Sequence, residues 1–209
     1  MINVVKVNKY YKLLYFFSVK KLCLLNVIIN LLINIIPSVD GFKDTYIKED
    51  IYFEIIEPDT LHYTYKVRPA HEFGTPFNGS FHSIGLVLTE PASGCNIPMN
   101  KLELHNNIAL MDRGSCSFLS KCINAEKVGV VAVIIADNDI SNDDQYIDMV
   151  TDTTDRNCSV PAMFLLGKDG YMIKRSLRTL NLTRAIINIP INMTYVFPHD
   201  QKQPPWVLW

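Results

Sequence analysis

The chain has 209 residues, 48% of them hydrophobic and 20% charged, with a formal charge of −1, which suits one domain with a substantial core. Residues 1–38 hold five lysines and no acid, so the remainder carries 15 Lys and Arg against 21 Asp and Glu, a formal charge near −6. An acidic body without a basic cluster excludes nucleic acid and anionic lipid as expected partners.

Lys6, Lys9, Lys12, Lys20 and Lys21 precede an apolar run over 22–36. A basic region followed by about 15 apolar residues reads as a secretory signal, expected to span 1–38 with cleavage after Ser38. An uncleaved anchor is the rival. The run is shorter than the roughly 20 residues a spanning helix needs, and Asn26, Asn30 and Asn34 would draw a polar stripe along it. Cleavage would leave no stable membrane insertion. Residues 39–50 form a polar lead-in. Residues 51–56 and 61–67 are aromatic and β-branched, and Glu57-Pro58-Asp59-Thr60 between them predicts a hairpin. Residues 69–80, with Gly74, Pro76 and Gly79, are a loop. A third strand covers 83–89, and a turn-rich segment over 90–99 carries Cys95.

The apolar run 108–111 predicts a buried strand. Asp112-Arg113-Gly114 breaks it, with Gly114 supplying a sharp turn. Ser115 or Ser117 is placed to cap a helix. Its apolar face holds Phe118, Leu119, Cys122, Ile123 and Ala125, with Lys121, Asn124 and Lys127 opposite. Gly129 sits where a left-handed residue ends a helix. Residues 130–135 are uninterrupted and β-branched, as in a strand covered on both faces. The whole is a βαβ unit with a parallel pair. The polar loop 137–144 follows the second strand, at the end where ligands collect in parallel sheets. Residues 146–151 are a candidate short element, and 161–166 a strand. Asp169 is expected to cap a helix bearing Ile173, Leu177 and Leu180. A last strand spans 185–191, and a tail over 196–209 ends in Trp209.

I-A-L-x-x-R-G-x-C-x-F over 108–118, followed by Lys121, Ala125, Gly129 and A-V-I-I, resembles the core motif of the protease-associated (PA) domain. The run P-A-x-F-L-L-G-x-D-G-Y-M-I-x-R-S-L over 161–177 and the ending Q-P-P-W-x-x-W are similar to the small secreted glycoproteins built around one such domain. The resemblance implies a mixed α/β fold of the swivelling β/β/α kind, a central sheet with two main helices, over residues 51–195. It also implies a secreted, non-catalytic role in protein–protein interaction. In the related plant vacuolar sorting receptors the matching loop contacts cargo through its Arg, which points to Arg113, Gly114 and Ser115 as partner-binding residues. The other reading of Arg113 is structural, pairing with an acid to hold the turn.

Apart from Cys23 in the signal, the cysteines are Cys95, Cys116, Cys122 and Cys158, an even count that suits two disulfides in an exported chain. Cys116 and Cys122 flank one helical turn and are poorly placed to join, which leaves two pairings open. The resemblance implies Cys95–Cys116 and, with it, Cys122–Cys158. Cys116 also lies near Arg113 and a helix start, where a thiolate would be activated, but half of a disulfide is the expected state.

Asn78, Asn157, Asn181 and Asn192 head N-x-Ser/Thr sequons, Asn157 the least accessible because of the neighbouring Cys158. Asp137, Asp139, Ser141, Asp143 and Asp148 are spaced like an EF-hand loop. Asn142 replaces its glycine and a strand precedes it, so a solvated acidic loop is expected. His62, His71, His82, His105 and His199 form no H-E-x-x-H, and neither G-x-S-x-G nor C-x-x-C occurs. No catalytic residue, metal or cofactor is therefore assigned. A cryptic hydrolase or protease fragment, and a membrane-tethered sorting module, are the alternatives.

Overall fold

A computed structural model describes residues 50–194 and 196–207. The expected signal over 1–38, the lead-in up to residue 49 and the last two tail residues lie outside the described residues. Among those described, no helix is long and apolar enough to cross a membrane.

The fold is mixed α/β. Seven strands, β1 (Ile51–Glu57), β2 (Thr64–Pro69), β3 (Phe81–Leu88), β4 (Ile108–Asp112), β5 (Ala132–Ala136), β6 (Ala162–Leu165) and β7 (Arg184–Ile191), close into a barrel in the order β1-β2-β6-β5-β4-β3-β7. Pairs β3–β4, β4–β5 and β5–β6 are parallel, and the other four are antiparallel. The sheet is thus not an open central one. β7 pairs with both β1 and β3, so no edge is left unpaired. Among the described residues three α-helices accompany it: α1 (Lys101–Leu104), α2 (Phe118–Glu126) and α3 (Gly167–Thr179).

The parallel strands explain the apolar runs. Ile108 and Leu110 of β4 join one core with Ile173 and Leu177 of α3. Ala109 and Met111 join a second core with Leu119, Cys122 and Ala125 of α2. β5 is divided in the same way, with all five of its residues buried. Alternate side chains point to opposite faces, so a strand covered on both faces must be apolar throughout.

Three local expectations are corrected. The strand expected over 61–67 begins at Thr64, because Asp59–Leu61 is a 3-10 turn whose Leu61 plugs the core. The candidate element over 146–151 has no regular secondary structure. It is irregular chain that buries Met149 and sets Tyr146 against Phe164. Asp169 does not cap α3, which starts at Gly167 after Leu166 with no side-chain cap. Asp169 lies inside the first turn, buried, accepting a 2.9 Å hydrogen bond from Trp206 Nε1. The tail supplies that indole, which also meets the Tyr63 ring edge-on at 5.4 Å.

Burial pushes the Asp169 carboxyl up to about 6, against the Trp206 hydrogen bond and the nearby Lys168 charge. Tyr65 of β2 and Tyr146, their phenols pushed up by burial, lie near enough to feel its charge, which adds to the rise. Because the folded value exceeds the unfolded one of about 3.9, the favourable contribution is full below pH ~4 and lost as pH rises through ~6. Wild type should therefore lose about 2 kcal/mol relative to Asp169→Asn between those limits. Urea midpoints of the two proteins across that range check this; parallel curves would refute it.

Candidate functional site

The corner after β4 is built by backbone first. Arg113 N–H bonds to Ala136 O at 2.8 Å, extending the β4–β5 ladder by one residue. Gly114 and Ser115 then take φ of +104° and +67°, a left-handed step natural for glycine and strained for serine. Ser117 is the cap of α2, its hydroxyl accepting from Ser120 N–H at 3.1 Å. That terminates the turn and aims the corner outward from the C-terminal ends of β4 and β5.

Below it lies a buried acid. Arg113 Nη1 donates to Asp137 Oδ1 at 2.9 Å, with Asp137 3% exposed and Arg113 37%. Asp137 also accepts from Asn138 N–H at 2.8 Å and from Asn142 Nδ2 at 2.7 Å. Burial opposes its charge, but the Asn142 and Arg113 hydrogen bonds and the guanidinium charge outweigh it and hold the carboxyl below its ordinary range. The expectation of a solvated acidic loop therefore fails at Asp137. The other carboxylates engage the chain's own donors. Asp139 accepts from Ser141, Asp143 from Lys168 at 2.9 Å, and Asp148 lies 3.9 Å from Arg68. Among the described residues no group of three or more His, Cys, Asp or Glu could hold a metal ion.

The polar side of α2 is a second correction. Lys121, expected opposite the apolar face, has no exposed surface. Its Nζ donates to Gly114 O at 2.7 Å and to Ser93 O. Asn124 Nδ2 donates to Cys95 O at 2.9 Å and Gly94 O at 3.3 Å. The loop carrying Cys95 covers this face, and only Lys127 of the three is exposed. Gly94 permits the approach: at φ +61°, its place for a Cβ lies 2.7 Å from Met111 Sδ.

Of the two pairings open from sequence, the chain has Cys95–Cys116 and Cys122–Cys158. The second anchors the loop after β5, which returns over the helix start. There Ser117 Oγ donates to Asp152 Oδ2 at 2.6 Å, and Arg156 Nη2 donates to the same oxygen at 2.7 Å and to Ser120 Oγ at 3.0 Å. Hydrogen bonds from Ser117 and Thr154 bring the Asp152 carboxyl down to about 2. Neither Asp152 nor Arg156 was legible beforehand, since nothing local marks a loop residue as a partner of a distant cap. Asn78, Asn157, Asn181 and Asn192 are all exposed. Asn157 is thus more accessible than its neighbour Cys158 suggested, because the cysteine turns inward while the asparagine does not.

The PA domain family model matches residues 83–173. The chain is 41% identical over 162 residues to a PRADC1-like protein of Drosophila melanogaster, covering 77% of this chain and 83% of that one. It is 27% identical over 152 residues to vacuolar-sorting receptor 5 of Arabidopsis thaliana, spanning 66% of this chain but 22% of the receptor. An aminopeptidase from Aneurinibacillus sp. strain AM-1 is similar in structure, with a TM-score of 0.47 and 21% identity over 68% of this chain and 30% of the enzyme. With that match to most of a relative's length, and the arginine–glycine corner set between two parallel strands, the chain belongs to the protease-associated (PA) domain family.

Proposed function

We propose that this is a secreted, non-catalytic glycoprotein whose single PA domain, of the swivelling β/β/α kind, binds a protein partner through Arg113, Gly114 and Ser115. In this reading residues 1–38 are a cleaved signal, 39–50 a lead-in, 51–195 the domain and 196–209 its tail, with glycans on Asn78, Asn157, Asn181 and Asn192. The observation that carries it is the state of Arg113: one guanidinium nitrogen is held by the buried Asp137 while more than a third of the side chain faces solvent. The two earlier readings of this arginine are then compatible. The acid fixes the plane of the fork, and the free donors are presented ready to meet a carboxylate or carbonyl. The non-catalytic reading draws support from Cys116, whose sulfur is bonded to Cys95 in the oxidised protein and is not a free nucleophile in that state.

Arg113→Lys is the test. Lysine keeps the charge but not the planar fork, so capture of the partner from secretory-pathway extract, quantified by mass spectrometry against wild type, should fall about tenfold. Lysine leaves a positive charge beside the buried Asp137, which keeps its hydrogen bonds from Asn138 and Asn142, so folding should change little, and an unchanged urea midpoint verifies that. Undiminished capture by a folded Arg113→Lys protein would overturn the proposal.

A further inference from the structure

The two disulfides occupy opposite surroundings. Cys122 and Cys158 have no exposed surface, whereas Cys95 and Cys116 are partly exposed beside the Arg113 turn. Lys121 Nζ lies 3.5 Å from Cys95 Sγ. Its other neighbours are the carbonyls of Ser93 and Gly114, and no carboxylate lies within ion-pair distance of it among the described residues. Asp112, which acts on it from farther off, is engaged by Lys174. A buried ammonium with no adjoining anion is costly, and a thiolate at Cys95 would supply the missing counter-charge.

We propose that the Cys95–Cys116 bridge is a site of thiol–disulfide exchange, opened by dithiol reductants, with Lys121 stabilising Cys95 as the leaving thiolate. One thiolate of the dithiol attacks Cys116 Sγ. The new S–S bond forms as the Cys95–Cys116 bond breaks, and the electron pair departs on Cys95 beside the ammonium. The second thiol of the reductant loses its proton to solvent and attacks the reductant's own sulfur in the mixed disulfide. Cys116 leaves as a thiolate and takes a proton from water. The dithiol is oxidised to a disulfide by two electrons, and the protein gains one thiol and one Lys121-paired thiolate.

Opening the bridge leaves its two sides in place. Asn124 still holds Gly94 O and Cys95 O, and Lys121 still spans Ser93 O and Gly114 O. The sulfurs therefore remain close enough to re-form the bond when an oxidant returns. Cys122–Cys158 has no such access without opening the second core. The exchange chemistry does not depend on what Arg113 binds.

Oxidised full-length protein under native conditions, treated with dithiothreitol, quenched with an alkylating agent at intervals and mapped by mass spectrometry, tests this. Cys95 and Cys116 should be labelled at least about tenfold faster than Cys122 and Cys158, and Lys121→Met should slow their opening roughly fivefold. Simultaneous opening of both bridges, or an unchanged rate in folded Lys121→Met, overturns the proposal. Should Lys121→Met not fold, Cys116→Ser leaves Cys95 as a free thiol. Its alkylation rate against pH should then titrate below the ordinary value of about 8.5, and an ordinary value is equally fatal.

Discussion

Lys121→Ala is expected to lower stability by about 3 kcal/mol, measured as a drop in urea midpoint with an unchanged slope. The side chain has no exposed surface, and its ammonium satisfies the carbonyls of Ser93 and Gly114. Each carbonyl left unpaired costs about 1–3 kcal/mol, and the vacated stem leaves a cavity that the disulfide-tied loop is poorly able to fill. Relief from burying a charge offsets part of this. Lys121→Met separates the contributions, since it keeps the stem and removes the ammonium. It should recover the cavity cost alone, roughly half the loss. Lys127→Ala on the exposed side of the same helix should stay within about 0.5 kcal/mol of wild type. If Lys121→Ala behaves like Lys127→Ala, the amine is solvated and the packing of the Cys95 loop on α2 is wrong.

That contrast marks the limit of what the residues alone convey. The β4–α2–β5 unit was legible because each of its signals is local: an apolar run, a glycine at the break, a serine at the helix start, a second apolar run. Helical periodicity puts Lys121 and Asn124 on one side of α2, but it says nothing about what covers that side. Here a loop some 26 residues earlier in the chain does so. Asp169 shows the same failure. A local rule made it a cap, and an indole 37 residues away won the competition for its carboxylate. Closure of the barrel was equally hidden. The strands could be found one by one, but β7 lying between β1 and β3 is a pairing between distant segments. At the candidate site the sequence left Arg113 between a structural and a recognition role. Asp137 was visible as a ligand-type residue in an acidic loop, not as the buried partner it is.

The second large effect is expected from Cys122→Ala combined with Cys158→Ala. The bridge spans a sequence separation of 36, which constrains the unfolded chain by about 4 kcal/mol. Both sulfurs also sit in the second core, among Leu119, Ala125, Val133 and Phe164, where lost volume is not refilled. A total near 4–5 kcal/mol should lower Tm by about 10 °C for a domain of this size. The bridge also anchors the loop that brings Asp152 and Arg156 onto Ser117 and Ser120. Limited proteolysis should therefore reach residues 137–158 in the double variant before any other segment, a response that a uniform loss of stability would not give. Removing Cys95 and Cys116 instead leaves the Asn124 and Lys121 hydrogen bonds in place and touches neither buried sulfur, so its Tm loss should be the smaller of the two. A larger loss from the Cys95–Cys116 pair would mean that the outer bridge, and not the inner one, carries the fold. It would also remove the reason for expecting that bridge to open without unfolding the chain.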